Sequence, residues 1–222
     1  MMGKNLKKMF DVSRDNSAVM KVRRQRIALF RDLAAPLPKP LKLIDVGGTE
    51  LFWEKMGFAD DPDYEITILN LSRTDSHHSN IRLVAGDARD MRGFADGAFD
   101  VAFSNSVIEH VGGPSEQRRM AREVMRVGRR YFVQTPNWSF PLEPHFLFPG
   151  FQFFPLALKV FLIQRFSLGW YPKIPDREEA LAAANSVRLL KRREVEELFS
   201  GGTIREEKIF GITSSFIVYG GW

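Results

Sequence analysis

An acidic, glycine-rich turn, Asp45-Val46-Gly47-Gly48, is the first segment of this sequence whose residue types could do chemistry. It closes the mostly apolar run Leu41–Val46, which has the length and composition of a buried strand. Glycine lets the backbone approach a ligand closely and adopt φ values that other residues avoid. We therefore expect this turn to lie at the edge of a bound small molecule.

Small polar residues close or follow three further apolar runs in the same way. The pairs are Asn70-Leu71, Asp87-Ala88 and Ser104-Asn105. In an open parallel sheet, ligands bind at the carboxyl ends of the strands, where the strand order reverses. The spacing therefore predicts that all four segments share one edge of a sheet and surround one ligand.

The elements that must position these residues alternate between strand and helix. Strands are predicted at 41–46, 64–71, 81–85, 99–103 and 131–134, followed by a closing pair at 203–210 and 214–219. Strands that are nearly all apolar indicate a parallel sheet covered on both faces. The fold class is therefore predicted as α/β, a Rossmann-like, doubly wound, mostly parallel sheet of seven strands.

Helices are predicted from apolar spacing at 17–33, 115–127, 155–166, 178–184 and 191–199. Ser17 and Ser115 are the expected N-caps of the first two, and Pro155 is expected at the first position of the third. The segment 136–175 breaks the alternation and is rich in phenylalanine, proline and tryptophan. We interpret it as an insertion after the fifth strand.

Between about residues 41 and 134 the sequence resembles the class I S-adenosylmethionine-dependent methyltransferases, in particular the type 11 methyltransferase domain. The resemblance depends on Asp45 with the two glycines after it, on Asp87-Ala88, and on the segment 99–111, FDVAFSNSVIEHV. It implies S-adenosylmethionine as the cofactor and S-adenosylhomocysteine as its product. The cofactor-binding residues that it implies are Asp45, Val46, Gly47, Gly48, Asn70, Leu71, Asp87, Ala88, Ser104 and Asn105.

The sequence departs from the family pattern at two places. Thr49 and Leu51 stand where the family has further turn glycines, and Asn70 replaces the acidic residue that usually holds the ribose hydroxyls. A non-catalytic binding module with the same fold therefore stays open as an alternative. A nicotinamide cofactor is disfavoured, because the G-x-G-x-x-G spacing is missing, and no P-loop lysine is present.

Methyl transfer to a hydroxyl group benefits from a general base. The candidates for catalysis are His145, then Glu143 beside it, and His110, with Glu109 as a further carboxylate. The resemblance implies that the segment 135–145 faces the acceptor. His77 and His78 receive no role, and four histidines at no ligand spacing predict no metal site.

The methyl acceptor is expected to be a small molecule, a sugar or a lipid-linked intermediate. The aromatic segment 146–171 could cover an apolar substrate as a lid, contact a membrane surface, or simply pack as the core of the insertion. The apolar stretch 146–163 contains Pro149, Pro155 and Lys159, so no membrane span is predicted.

Composition and charge restrict the function further. The chain has no cysteine, which excludes disulfides and thiolate chemistry, and no secretory signal is visible. We expect a cytoplasmic protein, with peripheral membrane contact left open. The formal net charge is +5, with an early basic cluster of Lys4, Lys7, Lys8, Arg14, Lys21, Arg23, Arg24, Arg26 and Arg31. This cluster could attract nucleic acid or anionic lipid, but no RNA-binding module is recognisable, so a nucleic-acid methyltransferase is the less favoured alternative.

The 222 residues suit a single domain. Its expected parts are an N-terminal basic helix and connector at 1–40 and a cofactor-binding core at 41–135. A substrate or lid insertion at 136–185 and a closing helix with strands at 186–222 follow. The oligomeric state cannot be inferred from the sequence.

Overall fold

The central element is a seven-stranded sheet, seen in a computed structural model that describes residues 17–72 and 75–222. Its strands are β1 Leu41–Val46, β2 Tyr64–Asn70, β3 Ile81–Ala85, β4 Phe99–Asn105, β5 Gly128–Pro136, β8 Thr203–Ile209 and β9 Ile212–Gly220. They lie in the order β3-β2-β1-β4-β5-β9-β8 across the sheet. The strands β1 to β5 are parallel to one another, whereas β9 is antiparallel to both β5 and β8. This arrangement confirms the predicted fold class, the mostly parallel sheet and its seven strands.

The strands begin where predicted or a few residues earlier. A two-stranded ribbon in the insertion consists of β6 Leu142–Glu143 and β7 Phe148–Pro149. The fifth strand is longer than predicted, because its first residues are polar but still pair with β4.

The described α-helices are α1 Ala18–Ala34, α2 Glu50–Met56, α3 Pro114–Val127, α4 Leu156–Arg165, α5 Arg177–Asn185 and α6 Arg192–Leu198. The expectation at Ser17 is confirmed, since its hydroxyl accepts a hydrogen bond from the Met20 amide at 3.1 Å. The part of the early basic cluster before residue 17 lies outside the described residues.

The predicted N-cap of α3 is wrong. Gly113 is the N-cap and Pro114 opens the helix, because proline lacks the amide that would be unsatisfied there and its φ is already helical. The Ser115 hydroxyl instead donates to Glu116 Oε2 at 2.8 Å. Pro155 is the N-cap of α4 and not its first residue as predicted, since the helix begins at Leu156.

Two apolar cores cover the two faces of the sheet. The first packs α1 and α2 onto one face through Phe30 and Trp53, and the second packs α3 onto the other through Met120 and Val124, all fully buried. The chain leaves β1 for β2 on one side and returns to β4 on the other. The strand order therefore reverses between β1 and β4, which is where a ligand site is expected.

The insertion packs its own small core. Phe146, Phe151, Val160, Ile163 and Leu168 are buried together. Within the described ranges, no helix has the length and apolar character needed to cross a membrane.

Candidate active site

A cavity of about 300 Å³ opens at the switch point, at the carboxyl ends of β1 to β4. We call it the switch-point cavity. Of the ten predicted cofactor-binding residues, the structure brings five to its wall: Gly47, Asn70, Leu71, Asp87 and Ala88. Arg89, Ser106 and His110 complete its polar lining.

The turn after β1 must be glycine at two successive positions. Gly47 has a φ of +81°, and its amide donates to the Leu69 carbonyl at 2.7 Å. A Cβ atom on Gly47 would overlap Val107, and one on Gly48 would overlap the carboxyl group of Asp45. The packing of the turn therefore requires both glycines, because Val107 and Asp45 occupy the space that a side chain would need.

Asp45 lies behind the turn with 1% of its surface exposed. Its Oδ2 accepts a hydrogen bond from Trp53 Nε1 at 2.7 Å, while Oδ1 has no partner among the described residues. Burial raises the pKa of this carboxyl to about 7, and the bond from Trp53 offsets only part of that rise. A buried oxygen without a partner is the kind of atom that a polar ligand or a bound water satisfies.

Asn70 fastens the glycine turn to the end of β2. Its Nδ2 donates to the Gly48 carbonyl at 3.1 Å, and its Oδ1 accepts from the Leu71 amide at 2.8 Å. An aspartate could not donate the first of these bonds. The neutral amide of Asn70 therefore has a structural role at this position, because it bonds the glycine turn to β2.

Asp87 presents its carboxylate at the wall while it is bonded to Arg89. Both carboxylate oxygens accept from the guanidinium, at 2.9 Å to Nε and 2.6 Å to Nη2. This hydrogen bonding lowers the pKa of Asp87, so the group is ionised at neutral pH. A ligand amine that bonds to Asp87 would share the carboxylate with Arg89.

Ser104 and Asn105 do not line the cavity. Ser104 is fully buried and donates to the Val46 carbonyl at 3.0 Å, so it ties β4 to β1. Asn105 accepts a hydrogen bond from Arg26. Ser106 lines the cavity in their place, with a φ of +57° and a hydroxyl that donates to Gln134 at 2.8 Å. Sequence reasoning missed this residue, because the reversal of the backbone after β4 leaves no clear sequence signal.

A second cavity of about 210 Å³ shares Ser106 with the first. We call it the acceptor-side cavity. Its wall includes Arg23 and Arg26 of α1, His145 and Trp170 of the insertion, and Gln134. The core, the N-terminal helix and the insertion therefore meet at one point, next to the switch-point cavity.

His145 is held by Glu143 at this junction. Its Nδ1 lies 2.7 Å from Glu143 Oε1, and its backbone amide donates to Glu143 Oε2 at 2.9 Å. Burial alone would lower the pKa of His145, but the hydrogen bond and the charge of Glu143, together with Glu109, outweigh it and raise that pKa. Because Nδ1 faces the carboxylate, Nε2 is the nitrogen left to meet another group.

His110 lies against His145, with ring centroids 4.7 Å apart and the planes at 88°. Its Nδ1 lies 3.3 Å from the Ser186 carbonyl, an acceptor, so Nδ1 carries the proton. Burial first, and then the neighbouring His145, lower the pKa of His110. The two histidines therefore line opposite cavities: His110 the switch-point cavity and His145 the acceptor-side cavity.

Glu109 is buried beneath both histidines. Thr135 donates to its Oε2 at 3.1 Å, and Oε1 has no partner within the described ranges. Burial raises its pKa to about 7, against the opposing charge of His145. One ligand atom each from Glu109, His110 and His145 lie within 4.8 Å of one another. Sequence spacing did not reveal this cluster, because the fold brings together histidines 35 positions apart in the chain.

Two larger clefts, of about 460 and 540 Å³, lie along the segment from Arg188 to Glu197. Charged side chains of both signs line them, including Arg188 and Glu194. None of the residues at the carboxyl ends of β1 to β4 is in their walls. We therefore assign the chemistry to the two smaller cavities that meet at Ser106.

Comparisons with known proteins give a family match and relatives of the same fold. Residues 59–131 match the family model described as a methyltransferase domain. A segment of 53 residues, 24% of the chain, is 47% identical to an uncharacterized protein of Mycobacterium tuberculosis in each of two strains. The matched segment spans 18% of the length of these curated relatives.

Solved structures share the fold at low sequence identity. A SAM-dependent methyltransferase from Aquifex aeolicus aligns over 98% of this chain and 96% of its own, with 12% identity and a TM-score of 0.55. The 1,6-didemethyltoxoflavin-N1-methyltransferase of Burkholderia thailandensis, solved with bound 1,6-didemethyltoxoflavin and S-adenosylhomocysteine, aligns over 98% of this chain and 85% of its own. Its identity is 12% and its TM-score 0.56. The family match and the shared fold confirm the resemblance inferred from the sequence.

Proposed function

We propose that this chain, with a class I methyltransferase fold, is an S-adenosylmethionine-dependent methyltransferase that binds its cofactor in the switch-point cavity. The methyl acceptor would occupy the acceptor-side cavity. The observation that carries this proposal is the shared wall at Ser106, which places two cavities side by side at the point where the strand order reverses. Methyl transfer needs two ligands that meet at one point.

The residues of the switch-point cavity fit the cofactor. Gly47 contributes to the wall without a side chain, and the Asp45 carboxyl behind the turn has an oxygen without a partner among the described residues. Asp87 adds an ionised carboxylate for an amine, and Ala88 lines the wall beside it. When bound, S-adenosylmethionine supplies a methyl group on a positively charged sulfur, which is an electrophile.

On the acceptor side, His145 is the proposed general base. Glu143 fixes the ring through Nδ1, which leaves Nε2 to accept a proton from an acceptor hydroxyl. The deprotonated oxygen is then the nucleophile. Phe140, Pro136 and Ile209 add apolar surface to a wall that also contains Ser214 and Ser215.

The parts of the domain have separate roles in this proposal. The core at 41–135 holds the cofactor, and the insertion at 136–185 together with α1 selects the acceptor. The acceptor class that we propose is an oxygen nucleophile on a small molecule, a sugar or a lipid-linked intermediate. Exposed apolar residues on and around α4, such as Phe161, support peripheral contact with a membrane.

Calorimetry with S-adenosylmethionine and S-adenosylhomocysteine tests the cofactor half. We expect saturable binding at micromolar concentration, and no binding at high micromolar concentration would refute the proposal. Transfer of a labelled methyl group to a panel of hydroxyl acceptors tests the second half. A His145→Gln variant should bind the cofactor like the native protein and lose about 10²-fold or more in transfer rate.

A non-catalytic binding module is the second candidate. It is favoured by the side chains of Asn70 and Asp87, which are already bonded to Gly48 and Arg89. This candidate predicts cofactor binding without transfer to any acceptor. Transfer that disappears in the His145→Gln variant would exclude it.

A further inference from the structure

Among the described residues, the charged side chains that line the acceptor-side cavity are all basic. They are Arg23 and Arg26, one turn apart on α1, and His145 on the insertion. We propose that the acceptor carries an anionic oxygen group, a carboxylate or a phosphate, and that Arg23 binds it. This inference rests on the proposed function, because it names the substrate class of the same site.

Arg26 is not the residue that is available to such a ligand. Its Nε and Nη2 donate to both carboxylate oxygens of Glu207, at 2.9 and 2.6 Å, and its Nη1 donates to Gln134 at 3.0 Å and to Asn105. The side chains of both Arg26 and Glu207 are more than 90% buried. Glu207 therefore neutralises the charge of Arg26, and the pair serves as a fixed part of the cavity floor.

Arg23 has no hydrogen bond or ion pair with any residue that the structure describes. Burial, and then the charge of Arg26, lower its pKa to about 10, while Glu207 counteracts this only in part. The guanidinium is still charged at neutral pH. Since Glu207 already balances Arg26, Arg23 leaves the cavity with one unbalanced positive charge.

The other titratable groups that the structure describes around the cavity do not supply the missing negative charge. His145 is paired with Glu143, which lies behind the ring and does not line this cavity. Glu109, also outside its wall, is buried and has a pKa raised to about 7 by that burial. A ligand carboxylate or phosphate is therefore the complement that this wall requires, and a guanidinium can hold it with two parallel hydrogen bonds.

The remaining wall restricts the body of the acceptor. Val22, Phe140, Trp170 and Ile209 offer apolar surface around the polar groups. A volume of about 210 Å³ suits a compact ring rather than an extended chain. The anion would lie at α1, and the hydroxyl to be methylated would point toward His145 and Ser106.

Paired probes test the charge preference by calorimetry on the full chain saturated with S-adenosylhomocysteine. The pairs are 4-hydroxybenzoate against 4-hydroxybenzamide, and phenyl phosphate against phenol. In the native protein at least one anion should bind about 10-fold or more tightly than its uncharged partner. The arm with the larger ratio distinguishes a carboxylate acceptor from a phosphate acceptor.

Arg23→Gln should reduce that ratio to about 1, whereas Arg23→Lys should retain part of it because the charge remains. Lys21→Gln is the matched control, since it removes an exposed charge from the same helix and should leave the ratio unchanged. Unfolding midpoints of all variants show whether each is folded. If Arg23→Gln does not fold, the ratio measured with Arg23→Lys decides the test.

Three results would overturn the inference: equal binding of both members in each pair, no binding of either anion at 10 mM, or a preference of native size in the Arg23 variants that fold. The affinity for S-adenosylhomocysteine is measured on the same samples. A native protein that binds S-adenosylhomocysteine but shows no anion preference refutes this inference alone. Absence of S-adenosylhomocysteine binding refutes the proposed function. In that case, titration of the probes in the absence of S-adenosylhomocysteine still reports on Arg23.

Discussion

Gly48 lies so close to the carboxyl group of Asp45 that a single methyl group would displace one of the two. We expect Gly48→Ala to push the carboxyl out of its bond with Trp53 and to distort the turn that faces the switch-point cavity. The displaced Asp45 carboxyl would lose its buried hydrogen bond with Trp53 and no longer support the turn. The affinity for S-adenosylhomocysteine, measured by calorimetry, should therefore fall about 10-fold or more.

Gly93→Ala is the matched control, because a Cβ atom at Gly93 would have no neighbour within 4 Å. It should bind the ligand like the native protein. Equal affinities of the Gly48 and Gly93 variants would show that the turn does not hold the cofactor.

The pairing of His145 with Glu143 makes a prediction about pH. A general base must be unprotonated, so kcat/KM should fall as the pH drops through the raised pKa of His145. Glu143→Gln removes the charge that raises this pKa, while burial still lowers it. The acidic limb of the pH–rate profile should therefore move to lower pH, and the maximal rate should fall because the ring is held less firmly.

His110→Gln is the comparison for this profile, since His110 lines the other cavity and bonds the Ser186 carbonyl. Its acidic limb should stay close to that of the native protein. An unchanged limb in Glu143→Gln would remove the reason for placing His145 as the base.

At the residue scale, sequence predicted the turn at Asp45 but not the roles of the residues after β4. Two glycines directly after a strand with an acidic residue near its end indicate a tight backbone turn. The sequence therefore predicted this turn. Ser104 and Ser106 are the same residue type two positions apart, and only the positive φ of Ser106 directs it to the cavities while Ser104 bonds to β1. That backbone reversal depends on tertiary packing.

At the element scale, the buried pair Arg26–Glu207 links α1 to β8. Glu207→Gln should lower the free energy of unfolding, measured in urea, by about 3–5 kcal/mol, because it leaves the guanidinium buried with a weaker partner. The exposed pair Arg193–Glu197 is the control, and Glu197→Gln should cost about 0.5 kcal/mol or less. Similar losses in the two variants would mean that the link does not hold α1 on the sheet.

The insertion carries a second prediction at this scale. Its core residues are buried, yet Phe153, Phe161 and Phe166 are about half exposed. If this face contacts membranes, Phe161→Ser should reduce cosedimentation with anionic lipid vesicles by several-fold. Leu51→Ser is the control, because Leu51 is equally exposed on α2. Absence of sedimentation with the native protein would count against membrane contact.

Element bounds were predictable where the runs are mostly apolar, as in β1 and β3. They were less so where polar residues pair in the sheet, as at the start of β5 around Arg129 and Arg130. The cap of α3 was misplaced because Ser115 and Gly113 both suit an N-cap, and the proline between them decides the outcome. Local propensity alone does not rank such competing signals.

For the whole molecule, the doubly wound topology accounts for the switch-point cavity, and sequence alternation was enough to predict it. The acceptor-side cavity has a different origin. It is formed by α1, the insertion and the closing strands, three parts that are far apart in the chain. Their meeting point depends on long-range contacts such as Arg26 with Glu207, which no sequence period reveals.

Buried carboxyl groups predict how the stability of the folded protein depends on pH. Burial raises the pKa of both Asp45 and Glu109 to about 7, so between pH 5 and 7 the folded state keeps protons that the unfolded state has released. The free energy of unfolding should therefore decrease with rising pH, by up to about 1.4 kcal/mol per pH unit for each group. The raised pKa of His145 acts in the same direction. Urea titrations at pH 5, 6, 7 and 8 measure this slope, and the double variant Asp45→Asn with Glu109→Gln should flatten it. A stability that rises over this range in the native protein would mean that both carboxyl groups are ionised in the folded state.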